Sequence, residues 1–357
     1  MTQPETVSAT QATLYLDCTD EVAPFRSTLN DRRCWTTDSI EDSDWLFRFD
    51  TDVQTEIQRA AEMIALHPVE QLRRTPADLD LQHCRKLYKK LNQALTQGVG
   101  FCVADRLPTA DFSTEIMVEI YWVLGQLIGR PVAQKRNGQM IYDVKDTARK
   151  YEYGVRGSWT NVELNFHTDN AFGKCPPDYV SLFCKQPAKS GGVSRFCSLY
   201  SLHAALERRF PQALKRLYQP MLYDRQKEHF DAEPTVSLAP FFSWRNDSLR
   251  ARANPSLVRK GHAVAGTEID AELEDALAAV DEVSASTELW YEAALEEGQI
   301  QYLNNAEVGH YRSEFSDYDE PERKRHLYRL WHRDDGSVDY DGVCQALITT
   351  GADYNTN

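Results

Sequence analysis

Between Asp52 and Pro68, Val53, Ile57, Ala60, Ala61 and Ile64 fall at helical spacing. That spacing turns one face of a helix toward a core, and the proline predicts its end. The stretch LDLQHCRKLYKKLNQALTQG repeats the pattern, with Cys84, Leu87, Leu91 and Leu95 on one side and Gly98 as the stop. VGFCVADRLP reads as a strand, and FSTEIMVEIYWVLGQLIGRP as another helix, closing at Gly129. From about residue 132 the period shortens. YVSLFCKQ, bounded by CPPD and PAKSGG, has the apolar, β-branched and aromatic make-up of a buried strand. GGVSRFCS predicts a second strand, leading into a helix around LYSLHAALERRF, and IDAELEDALAAVDEVSASTELWYEAAL contains a further helix. Strands are expected in GQIQYLNN, AEVGHYRSEF and RHLYRLWHR. Helices first and strands afterwards, with a few helices inserted, predict an α+β chain built on a sheet pair or barrel.

Composition narrows the function more than the fold. The 357 residues are 42% hydrophobic, enough for a substantial core. A net charge of −14 argues against a nucleic-acid or anionic-membrane binder, whose footprint would be basic. No run approaches the length of a membrane span, and the N-terminus lacks the basic-then-apolar order of a secretory signal. The eight cysteines form no C-x-x-C pair, so the expectation is free thiols in the cytoplasm. No Gly-rich phosphate loop is present.

The candidate chemistry lies in NFHTDN, residues 165–170. In extended backbone, residues two apart point the same way, so His167 and Asp169 can aim at one ion while Thr168 turns aside. Two histidines and a carboxylate on one face suit non-haem Fe(II) and oxygen chemistry. On its own, H-x-D fits a hydrogen-bonded pair on a loop equally well. The third ligand would come from His67, His83, His203, His229, His262, His310, His326 or His332. His310 stands out, because RHLYRLWHR follows it. As a strand, that segment sets Arg325, Leu327, Arg329 and Trp331 on one interior face, where guanidinium groups require carboxylates. As an amphipathic helix, it leaves both arginines in solvent.

The whole array resembles the Fe(II)/2-oxoglutarate dioxygenases of the TauD/TfdA type, near the clavaminate synthase and γ-butyrobetaine hydroxylase branch. The resemblance runs from about Trp35 to Arg333 through GVGFCVADRLP, LGQLIGRPVAQ, VRGSW, FHTD, PAKSGGVSRFCS, PFFSWRNDSLRARANP and PERKRHLYRLW. It implies a double-stranded β-helix (jelly-roll, cupin-like) core with flanking helices and a lid insertion. Residues 1–12 and 341–357 are expected to be mobile ends. Residues 13–130 would pack on a core spanning 131–340, with the lid near 224–262, in one catalytic domain overall.

Carried over by position, the resemblance implies that His167, Asp169 and His310 hold Fe(II). Arg325 would pair with the distal carboxylate of 2-oxoglutarate, and Ser194 stands where relatives commonly place a threonine hydroxyl on that group. Arg329 corresponds to an arginine that reaches the primary substrate or supports the cosubstrate, its alternative being a structural pairing with a barrel carboxylate. Gln134 lies where relatives with amino-acid-like substrates place a polar contact, its alternative being a residue that merely ends a strand. Asn165 and Asn170 flank the motif and would orient ligands or satisfy the turn, and Arg156 is placed near substrate on the same basis.

The implied reaction consumes O2 and 2-oxoglutarate, releases succinate and CO2, and hydroxylates an unactivated C–H bond of a small anionic or amino-acid-like molecule. Desaturation, cyclisation or another rearrangement needs the same cofactors, and a non-catalytic jelly-roll module is the remaining alternative. Related halogenases have a small residue where Asp169 stands, so halogenation is disfavoured. Tyr311, where the branch usually has glycine, adds bulk near the site. The N-terminal helices offer a surface for a homo-oligomer.

Overall fold

The computed structural model describes residues 13–16, 32–70, 72–150, 155–230, 232–245 and 248–343. The expected mobile segment 1–12 and most of the tail, from 344 on, lie outside these residues.

The helix Thr51–Leu66 starts at Asp50, whose carboxylate accepts from the Val53 N–H at 2.9 Å. It buries Val53, Ile57, Ala60, Ala61 and Ile64, as their spacing predicts. From the same helix, Glu56 accepts from the main-chain N–H groups of His83 and Cys84 at 2.7 and 2.8 Å. It thereby satisfies the N-terminus of the helix Gln82–Thr96, which has no side-chain cap of its own. That second helix buries Tyr88 rather than Leu87, since Cys84, Tyr88, Leu91 and Leu95 form the straighter stripe. The third helix, Thr114–Gly125, stops before the expected Gly129. Residues 126–128 tighten into turns, and a Cβ on Gly125 would come within 2.9 Å of His332 Cε1. Close packing against the sheet sets that boundary.

Among the described residues the larger sheet has the order Leu46–Phe47, Phe101–Ala104, Ile300–Asn304, Tyr179–Gln186, His326–Arg333, Arg130–Val132, and Tyr142–Val144 also pairs with His326–Arg333. The smaller sheet runs Trp290–Ala293, Ser194–Ser198, Val308–Arg312, Leu164–His167. Their inner faces meet through Phe101 and Phe196, stacked at 4.3 Å, with Val180, Leu303, Val308 and Trp331 around them. This is the double-stranded β-helix. The N-terminal helices cover the outer face of the larger sheet by packing on Phe183, Tyr302 and Leu330.

His326–Arg333 is a strand, so the helical alternative is excluded. Leu330 and Tyr328 face the helices, while Leu327, Arg329 and Trp331 take the opposite face. Between Ser194–Ser198 and Trp290–Ala293 the chain inserts four helices, Leu199–Arg209, Pro211–Leu217, Pro255–Ala265 and Ala271–Ser284, which share one core with Phe241 and Phe242. The expected lid region lies here. Its strands Pro220–Asp224 and Val236–Pro240 pair with each other, and the loop joining them returns toward the site. No helix among the described residues is long and apolar enough to cross a membrane.

Candidate metal centre and its cavity

Strand pairing brings the two distant histidines together. His310 is the register partner of His167 across the antiparallel pair Val308–Arg312 and Leu164–His167, and their rings lie 4.2 Å apart. The ladder is irregular between His310 and Arg312, as at many functional strand ends. Asp169 follows where the strand has ended. Its Oδ1 lies 3.7 Å from His167 Nε2 and 3.5 Å from His310 Nε2. The three donor atoms sit within 4.8 Å of one another, the one such group among the described residues.

Hydrogen bonding settles which atoms face inward. His167 Nδ1 lies 2.7 Å from the Asn165 carbonyl, which can only accept, so Nδ1 carries the proton and Nε2 keeps its lone pair. Burial, with His310 beside it, pushes His167 down to about 4, leaving the ring neutral at pH 7. His310 Nδ1 is buried and makes no hydrogen bond. Burial alone would raise the Asp169 carboxyl, but Arg329 and the two histidines outweigh it and hold the group well below the ordinary carboxylate range. Two imidazoles and an ionised carboxylate, converging from one side, fit a divalent transition-metal ion.

The backbone that carries these side chains is held on both sides. The Thr168 N–H donates to the Ala253 carbonyl at 2.8 Å. The Asp169 N–H donates to Asn305 Oδ1 at 2.7 Å, and Asn305 Nδ2 donates to the carbonyls of Asp169 and Pro177 at 3.0 and 3.1 Å. Asn170 has φ of 55° and donates to Asp341 Oδ1 at 3.4 Å, so it completes the turn. Asp169 Oδ2 accepts from Trp331 Nε1 at 2.8 Å and pairs with Arg329 Nη1 at 2.9 Å. Sequence reasoning missed Asn305, because a turn asparagine in LNNAEV carries no mark that separates it from its neighbour. Trp331 was legible as an inward residue but not as a partner of Asp169.

A cavity of ≈ 300 Å³ opens over His167 and Asp169, and Arg329, Trp331, Arg156 and Lys260 help to line it, while His310 lies outside the lining. Asn165 also lines it. Arg156 is ion-paired with Glu228 from the returning loop. Gln134, Ser194 and Arg325 lie outside the lining. Ser194 is the register partner of Arg312, two positions along the strand from His310.

Arg325 is 4% exposed, its guanidinium sits 5.0 Å from the Phe315 ring centroid, and its Nη1 has no partner. Arg312 flanks the same ring at 5.0 Å, and its Nε is likewise unpartnered. Burial pushes Arg325 down to about 10, and burial together with Arg325 pushes Arg312 down to about 9; both remain cations at pH 7. Gly192, at φ +67°, lets the chain pass this group, since a Cβ there would come within 2.9 Å of Arg325 Nε. Two buried guanidinium groups with unsatisfied donors fit an incoming carboxylate.

A jelly-roll with a two-histidine, one-carboxylate face defines the class of non-haem iron oxygenases. Residues 63–331 match the family described as taurine catabolism dioxygenase TauD, TfdA family, and the chain belongs to it. It is thus an Fe(II)/2-oxoglutarate-dependent dioxygenase. Among curated proteins it is 27% identical over 311 residues to the FR-33289 synthase of Streptomyces rubellomurinus, covering 84% of this chain and 88% of that one. It is 29% identical over 177 residues to a taurine hydroxylase-like protein of Stachybotrys chartarum, covering 48% and 43%. Among solved structures, asparagine oxygenase with Fe(II), 2S,3S-3-hydroxyasparagine and succinate superposes with a TM-score of 0.61 at 17% identity, covering 83% of this chain and 94% of that one. The non-haem iron oxygenase OrfP with Fe, succinate and (3S)-hydroxy-L-Arg gives 0.59 at 16%, covering 81% and 94%.

Proposed function

We propose that His167, Asp169 and His310 hold Fe(II), that Arg325 receives the distal carboxylate of 2-oxoglutarate with Ser194 beside it, and that the enzyme hydroxylates a C–H bond of a small anionic or amino-acid-like molecule. The observation that carries this reading is the convergence of His167 Nε2 and His310 Nε2 on Asp169 Oδ1. The unpartnered Nη1 of Arg325, one residue before the strand His326–Arg333 that carries Arg329, supports the cosubstrate assignment.

Bound Fe(II), with 2-oxoglutarate and O2, supplies the oxidant that inserts one oxygen atom into C–H, the other leaving in succinate as CO2 is released. The chain's own residues provide geometry and shelter. The Asn165 carbonyl fixes the His167 tautomer, and Asn305 fixes the Asp169 main chain. Arg156, Arg259 and Lys260 bring cationic groups to the cavity lining, where an anionic substrate would meet them, although Arg156 is paired with Glu228 and Glu163 and Asp281 line the same space. The amino-acid products bound in asparagine oxygenase and OrfP are of the size and polarity this cavity would take.

The test is anaerobic addition of Fe(II) and 2-oxoglutarate, which should give a weak visible charge-transfer band. A panel of anionic metabolites and amino acids is then screened for succinate release, and products are weighed for the gain of one oxygen atom. Folded protein that shows no band would overturn the proposal.

A further inference from the structure

Gln134 is completely buried and reaches no part of the cavity surface. Its amide is fully engaged: Nε2 donates to the carbonyls of Met140 and Arg329, both at 2.7 Å, and Oε1 accepts from Arg329 Nε at 2.8 Å. The reverse amide orientation would set oxygen against two carbonyl oxygens, so the donor and acceptor ends are fixed. Arg329 is therefore held at Nε by Gln134. Its guanidinium lies 4.7 and 5.0 Å from the ring centroids of Tyr142 and Trp331, and its Nη1 meets Asp169 Oδ2. Trp331 adds its indole N–H to the same oxygen. Asp169 Oδ2 thus has two fixed donors, whereas Oδ1 is the oxygen nearest both imidazoles.

We propose that Gln134 is a positioning residue for the metal: through Arg329 it holds Asp169 Oδ2 away from the ion, so that the carboxylate ligates through Oδ1 alone. This rests on the reading of the three ligands given above. Turning Oδ2 toward the ion would break a charged pair and an indole hydrogen bond in a buried site. One-oxygen ligation keeps a coordination position open for the 2-oxo acid and O2, which a chelating carboxylate would fill. The same network also commits Arg329 to the protein.

The experiment uses the full chain loaded anaerobically with Co(II), whose visible bands report coordination number. Gln134→Met, which keeps volume but removes the amide, should weaken Co(II) binding by about tenfold, the usual effect of losing a partner behind a ligand, and alter the band intensities. In an Arg329→Met background the same change should have no further effect. Trp331→Phe, which removes the second donor to Asp169 Oδ2 but keeps an aromatic ring, should change the band intensities in the same sense, and it serves also if the methionine variant does not fold. A folded Gln134→Met protein with wild-type affinity and bands, losses that add to those of Arg329→Met, or a Trp331→Phe protein with wild-type bands would each overturn the inference while leaving the ligand reading standing. Wild-type protein that binds no Co(II) would overturn both.

Discussion

Asn305 grips the main chain of Asp169 from both sides, accepting from its N–H at 2.7 Å and donating to its carbonyl at 3.0 Å. Asn305 lies five residues before His310, so one side chain ties the segment carrying one imidazole to the segment carrying the carboxylate. Asn305→Ala strands a buried N–H and two buried carbonyls. The expected cost is about 2–3 kcal/mol of stability, with Fe(II) affinity lowered by about ten- to a hundredfold. Urea unfolding and anaerobic metal titration measure the two separately.

The two residues of the H-x-D motif should differ in what their removal does to the metal-free protein. His167→Ala removes a neutral ring and should leave apo stability nearly unchanged. Asp169→Ala leaves Arg329 charged, nearly buried and without its carboxylate, and should cost about 3 kcal/mol. Both should abolish the Fe(II)/2-oxoglutarate band. Thermal melts without metal discriminate: equal midpoints for the two variants would contradict the Arg329–Asp169 pair.

Arg325→Met carries the opposite sign. Losing a buried cation with an unpartnered Nη1 should raise the melting temperature of the apo protein, because its desolvation is uncompensated until an anion arrives. The same variant should lose the thermal shift that 2-oxoglutarate gives wild type, and should raise the KM for that cosubstrate by at least about tenfold, the worth of a charge-assisted hydrogen bond. Gly192→Ala, pressed against Arg325 Nε at a positive φ, should weaken the cosubstrate in the same assay and also lower stability by about 1 kcal/mol.

Acid should unfold the protein partly through two histidines remote from the site. His332 is fully buried, with Nε2 2.8 Å from Ser181 Oγ, which in turn lies 2.7 Å from the Tyr121 hydroxyl. His203 is buried against the Tyr218 hydroxyl at 2.8 Å. Burial pushes both down to about 4, from an ordinary value of 6.5. The unfolded chain then binds more protons between those values, so stability is fully present above pH 6.5 and is lost as pH falls toward 4. The loss is on the order of 3 kcal/mol for each residue. Urea midpoints across that window should slope downward toward acid, and His332→Gln should flatten the slope.

Much of this architecture was readable from local pattern. Val53 to Ile64 announced a helix face, and YVSLFCKQ and RHLYRLWHR announced strands, because periodicity reports which side is buried. The H-x-D pair was readable as a geometry but not as a site, since its third member depends on a register, His310 opposite His167, that no local pattern encodes. Arg329 shows the limit most clearly. Its inward face was predicted, but its choice of the Asp169 carboxylate and the Gln134 amide is a tertiary fact. Asn305 was hidden for the same reason, its role being set by which backbone lies beside it rather than by its own neighbours. The end of the third helix at Gly125 likewise depended on the space left by His332.

The helices Leu199–Arg209 to Ala271–Ser284 enter the chain between two adjacent strands of the smaller sheet and carry their own core, yet they supply Lys260 and neighbouring residues to the cavity wall. The side chains that hold Asp169 and part of the wall above it therefore come from separate stretches of the chain, so the wall residues around Lys260 can be replaced without touching Asn305, Arg329 or Trp331.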